Sequence, residues 1–295
     1  MYRGFISFNM VMKSALLAGS VLIGGHALAL SQYDVSNIET SQSAYDKVPE
    51  KIRKSNKLIV GSEIGYAPYE FFAEDGNTAV GVDVDLLLAV GKKLGLEIDL
   101  LNTEFSTYMP GLAGNRFDAV TAIADTPSRR EQMGFVTYIK AGASLMTLPG
   151  YKDDLEKLED LCGAKVGYLK GAIQQNHLEE QSEKCTADDK APIDIQVFPN
   201  TNVMTVALTT KRVDAIAQDY GPGIYANEQR GNIFTVHPPY IEYTFGFGFP
   251  KNADDLKDAF VEAFEELRDE GVYDDVLKKW GLEDAAIEKF ENVGS

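Results

Sequence analysis

The sequence predicts an α/β fold arranged as two lobes, and three observations carry that expectation. Short apolar runs rich in β-branched residues alternate with amphipathic stretches along most of the chain, the pattern of mostly parallel sheets packed on helices. At 295 residues the chain exceeds what a single core usually supports, so two compact units are expected. The run Arg116-Phe117-Asp118-Ala119-Val120-Thr121-Ala122-Ile123-Ala124-Asp125-Thr126-Pro127-Ser128-Arg129-Arg130 returns later as Arg212-Val213-Asp214-Ala215-Ile216-Ala217-Gln218-Asp219. Each copy reads as a buried strand ending in a polar turn, the position where open α/β sheets place ligands. One copy ends in arginine and the other in aspartate, so the two ends are expected to face each other across a cleft.

The chain opens with a signal-peptide pattern. Arg3 and Lys13 flank an apolar run from Ser14 to Gly25, and Ala27-Leu28-Ala29 supplies the small residues of a cleavage site. The run is shorter than the roughly 20 residues that span a bilayer. Removing residues 1–29 takes away two basic residues and no acid, moving the net charge from -17 to -19. Such a field repels phosphate backbones and anionic headgroups, which excludes nucleic acid and membrane surfaces as expected partners. Cys162 and Cys185 both lie in the exported part and read as a disulfide in an oxidising compartment.

Residues 30–55 are polar with scattered aromatics and are expected to form a linker or loose arm. A strand at Lys57 to Gly61 then leads into the shaped loop Ser62 to Phe71, which contains Gly65 and Pro68. Glu74-Asp75-Gly76-Asn77 is a hairpin signal. Asp83 and Asp85 open a helix with Leu87, Leu88, Gly91 and Leu94 on one face. Both acids read as capping and dipole partners rather than a metal couple, since no third ligand lies close in sequence. A strand at Glu97 to Asn102 and a short helix from Phe105 to Leu112 precede the first copy of the repeated phrase. Phe135 to Tyr138 and Ser144 to Thr147 are two extended runs. Strands at Lys165 to Leu169, Ile193 to Phe198 and Val213 to Gln218 then alternate with helices near Ile173 to Lys184 and Asn202 to Thr210. Tyr243 to Phe249 is an extended return, and two helices follow, carrying Leu256 to Leu267 and Tyr273 to Trp280.

Several motifs in order resemble one family. They include Val60-Gly61-Ser62-Glu63 with Tyr66-Ala67-Pro68-Tyr69-Glu70-Phe71, and Gly81-Val82-Asp83-Val84-Asp85-Leu86. Asp125-Thr126-Pro127-Ser128-Arg129, Val166 to Gly171, Arg212 to Ala215 with Asp219, and Gly271-Val272-Tyr273 to Trp280-Gly281 complete the set. From Asn56 to Leu282 the chain is similar to the periplasmic solute-binding proteins of polar amino acid ABC importers. The resemblance implies a type II periplasmic binding fold, two doubly wound α/β lobes joined by two extended hinge crossings. Lobe 1 is expected to comprise residues 56–143 with 248–295, and lobe 2 residues 144–247. The expected protein is a monomer without a cofactor or bound metal, delivering a small amino-acid-like ligand to an inner-membrane permease from the periplasm.

The same resemblance distributes roles. Arg129 matches the arginine that grips a ligand α-carboxylate, with Arg130 its solvated neighbour. Asp219 matches the acceptor of the α-ammonium, although its position also suits a cap for the segment beginning at Pro222. Tyr66 and Phe105 match aromatic walls. Glu63 matches an acidic position that meets a ligand's side-chain cation in some relatives, and a carboxylate bonded within its own loop is the other reading. Thr121, Ile123, Leu169 and Gln174 complete the expected lining, with backbone N–H groups of Ala172 and Ile173 facing a carboxylate. This sequence departs from the family where hydroxyls are usual, having Ala122-Ile123-Ala124 and Ala172-Ile173. A periplasmic enzyme of the cyclohexadienyl or prephenate dehydratase kind on the same scaffold, and a receptor module for a separate signalling partner, are the alternatives. Against an enzyme, the mature chain offers only His177 and His237, no G-x-S-x-G and no P-loop.

Overall fold

Backbone hydrogen bonds tie ten strands into one sheet, and two long strands within it connect the lobes. The computed structural model describes residues 31–151, 155 and 157–294; the expected signal peptide lies outside the described residues. The chain begins with α1 (Gln42–Lys47), α2 (Glu50–Ser55), β1 (Lys57–Ser62), the hairpin of β2 (Phe71–Phe72) and β3 (Ala79–Val80), and α3 (Val82–Lys93). It continues through β4 (Glu97–Asn102), α4 (Tyr108–Ala113), β5 (Ala119–Ala124) and α5 (Pro127–Arg130). The strand β6 (Met133–Thr147) crosses to the second lobe, with β7 (Lys165–Leu169), α6 (Gln174–Ala187), β8 (Asp194–Phe198), α7 (Thr201–Thr209), β9 (Ala215–Asp219), α8 (Tyr220–Gln229) and β10 (Thr235–Val236). The strand β11 (Ile241–Pro250) crosses back to α9 (Asp254–Asp269), α10 (Val272–Lys279) and β12 (Asn292–Val293).

The strand order is β4-β1-β5-β11-β6-β9-β7-β8, with β10 and β12 added along β6. Strand β1 runs parallel to β4 and β5, and β7 runs parallel to β8 and β9. The two crossing strands run antiparallel to each other. The two extended runs expected on either side of residue 140 are one strand, and the handover between lobes falls on a single residue. Ala143 of β6 lies opposite Ile241 of β11 on one side and Asp219 of β9 on the other.

Both lobes bury both faces of their strands. In the first, Val60 and Phe247 face a core shared with α3, α9 and α10, while Val120, Ile123 and Phe135 face a second cluster with Tyr108 and Leu112 of α4. In the second, Val166 and Ala217 pack towards α6, and Ile216 and Phe198 pack towards α7. Cys162 and Cys185 form a disulfide that ties the segment before β7 to the end of α6.

The expectation of a loose arm is corrected for residues 31–55. Ala44, Val48 and Ile52 are spaced by four, and all three are buried in the first lobe's core beside α9. Ser41 caps α1 by accepting from the Ala44 N–H at 3.2 Å and donates to Glu266 Oε1 at 2.6 Å. A polar composition concealed this one apolar stripe.

The capping role expected of Asp83 and Asp85 is also corrected. The N-cap of α3 is Gly81, whose φ of 136° suits glycine, and neither acid caps the helix. Asp83 Oδ2 instead accepts from the Ala122 N–H at 2.9 Å and the Tyr138 hydroxyl at 2.6 Å. Asp85 accepts from the Tyr33 N–H, the Trp280 indole and Lys279, at 2.7, 2.8 and 2.6 Å. Asp83 thus braces β5, and Asp85 ties Tyr33 and the end of α10 to α3.

Candidate functional site

The ends of β5 and β9 converge on one chamber between the lobes. Thr126 caps α5 by accepting from the Arg129 N–H at 3.4 Å, which turns the Arg129 side chain inward. Its guanidinium is buried over the Phe105 ring, 5.6 Å from the centroid, and donates to the Ala124 carbonyl at 2.9 Å and the Gly171 carbonyl at 3.1 Å. Burial lowers its pKa to about 10, and nearby Asp219 opposes that fall, so the group stays cationic at neutral pH. Arg130 points away and forks onto Asp125 at 2.6 and 2.5 Å, with 45% of its side chain exposed.

Asp219 closes β9. It stands at the N-cap of α8 but makes no cap hydrogen bond, so its side chain is free for the chamber. Gln174 Nε2 donates to Oδ1 at 3.0 Å, the Tyr243 hydroxyl donates to the same oxygen, and the Tyr66 hydroxyl donates to Oδ2. Burial raises the carboxyl to about 6; the Tyr66 and Gln174 hydrogen bonds and the charge of Arg129 restrain the rise.

Two more carboxylates line the chamber. Burial pushes Glu63 up to about 7, against the pull of the Thr201 and Phe105 N–H groups, and its Oε1 has no partner among the described residues. Glu70, which sequence reasoning left unassigned, is buried with Oε1 accepting from the Thr121 hydroxyl at 3.1 Å and Oε2 unpartnered. Burial and the neighbouring Asp83 charge raise it well above the usual carboxylate range.

Of the expected lining, Glu63, Tyr66, Phe105 and Arg129 meet Leu169, Ala172, Ile173, Gln174 and Asp219 around this space. Thr121 and Ile123 do not reach it. Ala122 adopts a φ of 42°, a left-handed conformation that costs on the order of 1 kcal/mol outside glycine, and it breaks the alternation of β5. Ala122 and Ala124 therefore face the chamber, Ile123 packs behind with Val120, and the Thr121 hydroxyl is held between Ser62 and Glu70. Phe245 of β11 is a further wall that sequence reasoning missed, and so is the hydrogen bond from Tyr243 to Asp219.

The room left free in the chamber is about 20 Å³, enough for about one water. That space is too small for an amino acid.

The profile of the bacterial extracellular solute-binding proteins, family 3, matches residues 58–283. The chain belongs to that family. Among its relatives, this family 3 protein is 29% identical over 245 residues to "Arginine-binding protein ArgT" of Corynebacterium glutamicum, covering 82% of this chain and 80% of the relative. It is 26% identical over 278 residues to "Lysine/arginine/ornithine-binding periplasmic protein" of Escherichia coli, covering 91% and 97%. Among solved structures, "An ancestral arginine-binding protein bound to arginine" superposes on the family 3 chain with a TM-score of 0.71 at 27% identity, covering 76% of this chain and 98% of that one. The two-lobed architecture is that of the family's type II binding proteins.

Proposed function

We propose that this solute-binding protein captures an amino acid with a basic side chain in the periplasm and delivers it to an ABC import permease. The observation that carries the reading is the charge imbalance of the chamber, where Glu63, Glu70 and Asp219 surround a single guanidinium, that of Arg129. A zwitterion uses one of each sign. The planar fork of Arg129 suits the α-carboxylate, and Asp219 Oδ2 suits the α-ammonium. Glu63 and Glu70 are then left over in the lining, each with one buried carboxyl oxygen that has no partner among the described residues. A cation there restores the charge that burial suppresses. Tyr66, Phe105 and Phe245 supply apolar contact for the aliphatic part, and Ala122, Ala172 and Ile173 make the walls less polar than is usual for the family. The lobes in this reading comprise residues 56–143 with 248–295, and 144–247, and close on the ligand by its greater affinity for the closed form. The names of the relatives point to the same ligand class.

Thermal unfolding in the presence of each of the twenty amino acids and ornithine tests the proposal. Arginine, lysine, ornithine or histidine should give the largest upward shift, and Glu63→Gln should reduce it more than it reduces any shift by a neutral amino acid. No shift across the panel would remove amino acid binding; a preference for acidic or neutral ligands would remove the basic side chain. Glu63, raised to about 7 by burial, is also suited to proton transfer by an enzyme on this scaffold. Turnover of prephenate-like acids would favour that second reading.

A further inference from the structure

The last described residues return to the turn that carries Arg129. Phe290 is buried, stacked on Phe264 at 4.9 Å and edge-on to Tyr273 at 5.1 Å, with the Arg268 guanidinium 3.8 Å from its ring centroid. From that anchor β12 runs antiparallel to β6, with Asn292 opposite Val136 and Val293 opposite Phe135, and the Thr137 N–H donates to the Glu291 carbonyl at 3.2 Å. Val293 packs on the cluster that holds Tyr108, Val120, Ile123 and Met133. Gly294 then lies against the junction of α5 and β6. Its φ is 78°, and a methyl group added there would stand 2.6 Å from the Met133 carbonyl oxygen and 3.3 Å from the Cα of Arg130, so this close approach requires glycine.

We propose that residues 290–294 form a strap that positions Arg129 for the ligand's α-carboxylate by fixing the far end of α5. The proposal rests on the amino-acid reading above and names what holds its anchor in place. With four residues, α5 is too short to hold its own direction. Its start is fixed by the Thr126 cap and by the Asp125 N–H, which donates to the Thr244 carbonyl of β11 at 3.0 Å. Its end, at Arg130, meets the strap. Glu291 adds its charge to that of Asp125 on the side where Arg130 is held. Successive residues of a helix point about 100° apart, so holding Arg130 outward turns Arg129 inward. None of the residues that line the chamber belongs to the strap, which acts through Arg129.

The test compares L-arginine with agmatine, the same molecule without its carboxylate, by titration calorimetry on the wild type, on a chain ending at Phe290 and on Arg129→Ala. The wild type should favour arginine by about a hundredfold, the scale of a buried charge pair. The shortened chain should cut that ratio below about tenfold by weakening arginine, with agmatine kept within about threefold of its wild-type affinity. In the Arg129→Ala background the same truncation should leave the ratio unchanged, since the group that the strap positions is gone. Should the shortened chain fail to fold, Gly294→Ala, which forces the strap off α5, should cut the ratio by about threefold. A ratio unchanged in the variants, or arginine and agmatine weakened alike as by a merely structural role, overturns the strap. A wild type with no preference for arginine over agmatine overturns the carboxylate role of Arg129 and the strap with it, and is a distinct result because it appears before any variant is made.

Discussion

Arg129 in the first lobe donates to the main-chain carbonyl of Gly171 in the second, at 3.1 Å. The same guanidinium that suits a carboxylate therefore also spans the cleft. Truncating it removes the anchor and the bridge together, so Arg129→Ala should weaken amino acid binding by about a hundredfold or more. Arg130→Ala should leave binding within about threefold, because its half-exposed guanidinium points away from the chamber and pairs with Asp125. Calorimetric titration of the two variants checks this, and equal losses would mean that the wrong arginine has been placed in the chamber.

Ligand binding should depend on pH through Asp219. Its carboxyl is raised to about 6 by burial, and only the charged form attracts an ammonium. Affinity should be flat above that value and fall by about tenfold per pH unit below it. Asp219→Asn should bind weakly and without this limb. A wild-type affinity constant between pH 7 and 5 would contradict the assignment.

The ligand-free protein should show the opposite trend in stability. Glu63, raised to about 7, and Asp219, raised to about 6, hold protons in the folded state that the unfolded chain has released, and Asp83 is raised in the same direction by burial. Stability from such groups is fully present below the unfolded pKa, near 4, and is lost as pH rises through the folded values. The Tm without ligand should therefore be higher at pH 5 than at pH 8, with the fall centred between pH 6 and 7. Glu63→Gln should flatten it.

The segment before β1 should behave as part of the core. Val48 is 1% exposed, against α9 and its neighbours. Val48→Asp should cost about 3 kcal/mol or more by burying an unpaired carboxylate, read as a fall in the urea midpoint at unchanged slope. A loose arm would make the substitution silent.

Much of this architecture is legible in the sequence because strand runs and turn signals punctuate it at regular intervals. The distinction between Arg129 and Arg130 comes from the family resemblance, and the cap of Thr126 on α5 is what places Arg129 in the chamber. The lining of β5 was not legible, since a positive φ at Ala122 is invisible in composition and reverses which side of the strand faces the ligand. Thr121 was expected in the chamber on the strength of its hydroxyl, yet that hydroxyl serves Glu70. Glu70 and Tyr243 went unassigned because their roles depend on contacts distant in the chain: with Thr121, 51 residues on, for Glu70, and with Asp219 across the join of β6, β9 and β11 for Tyr243. The packing of the arm is not legible because its apolar residues, Ala44, Val48 and Ile52 with Tyr33, Val35 and Ile38, are scattered through a polar segment.

The pairing of Ala143 with both Ile241 and Asp219 has a mechanical meaning. On the reading proposed above, the carboxylate offered to the ammonium would hang from the backbone at the join of the two lobes, where a rotation of one lobe would displace atoms least. Thr201, whose N–H restrains Glu63, lies on the opposite jaw and travels with it. On that reading, the backbone that carries the ammonium's carboxylate would move little between open and closed forms, while the seat for the side-chain cation would be assembled only as the lobes close.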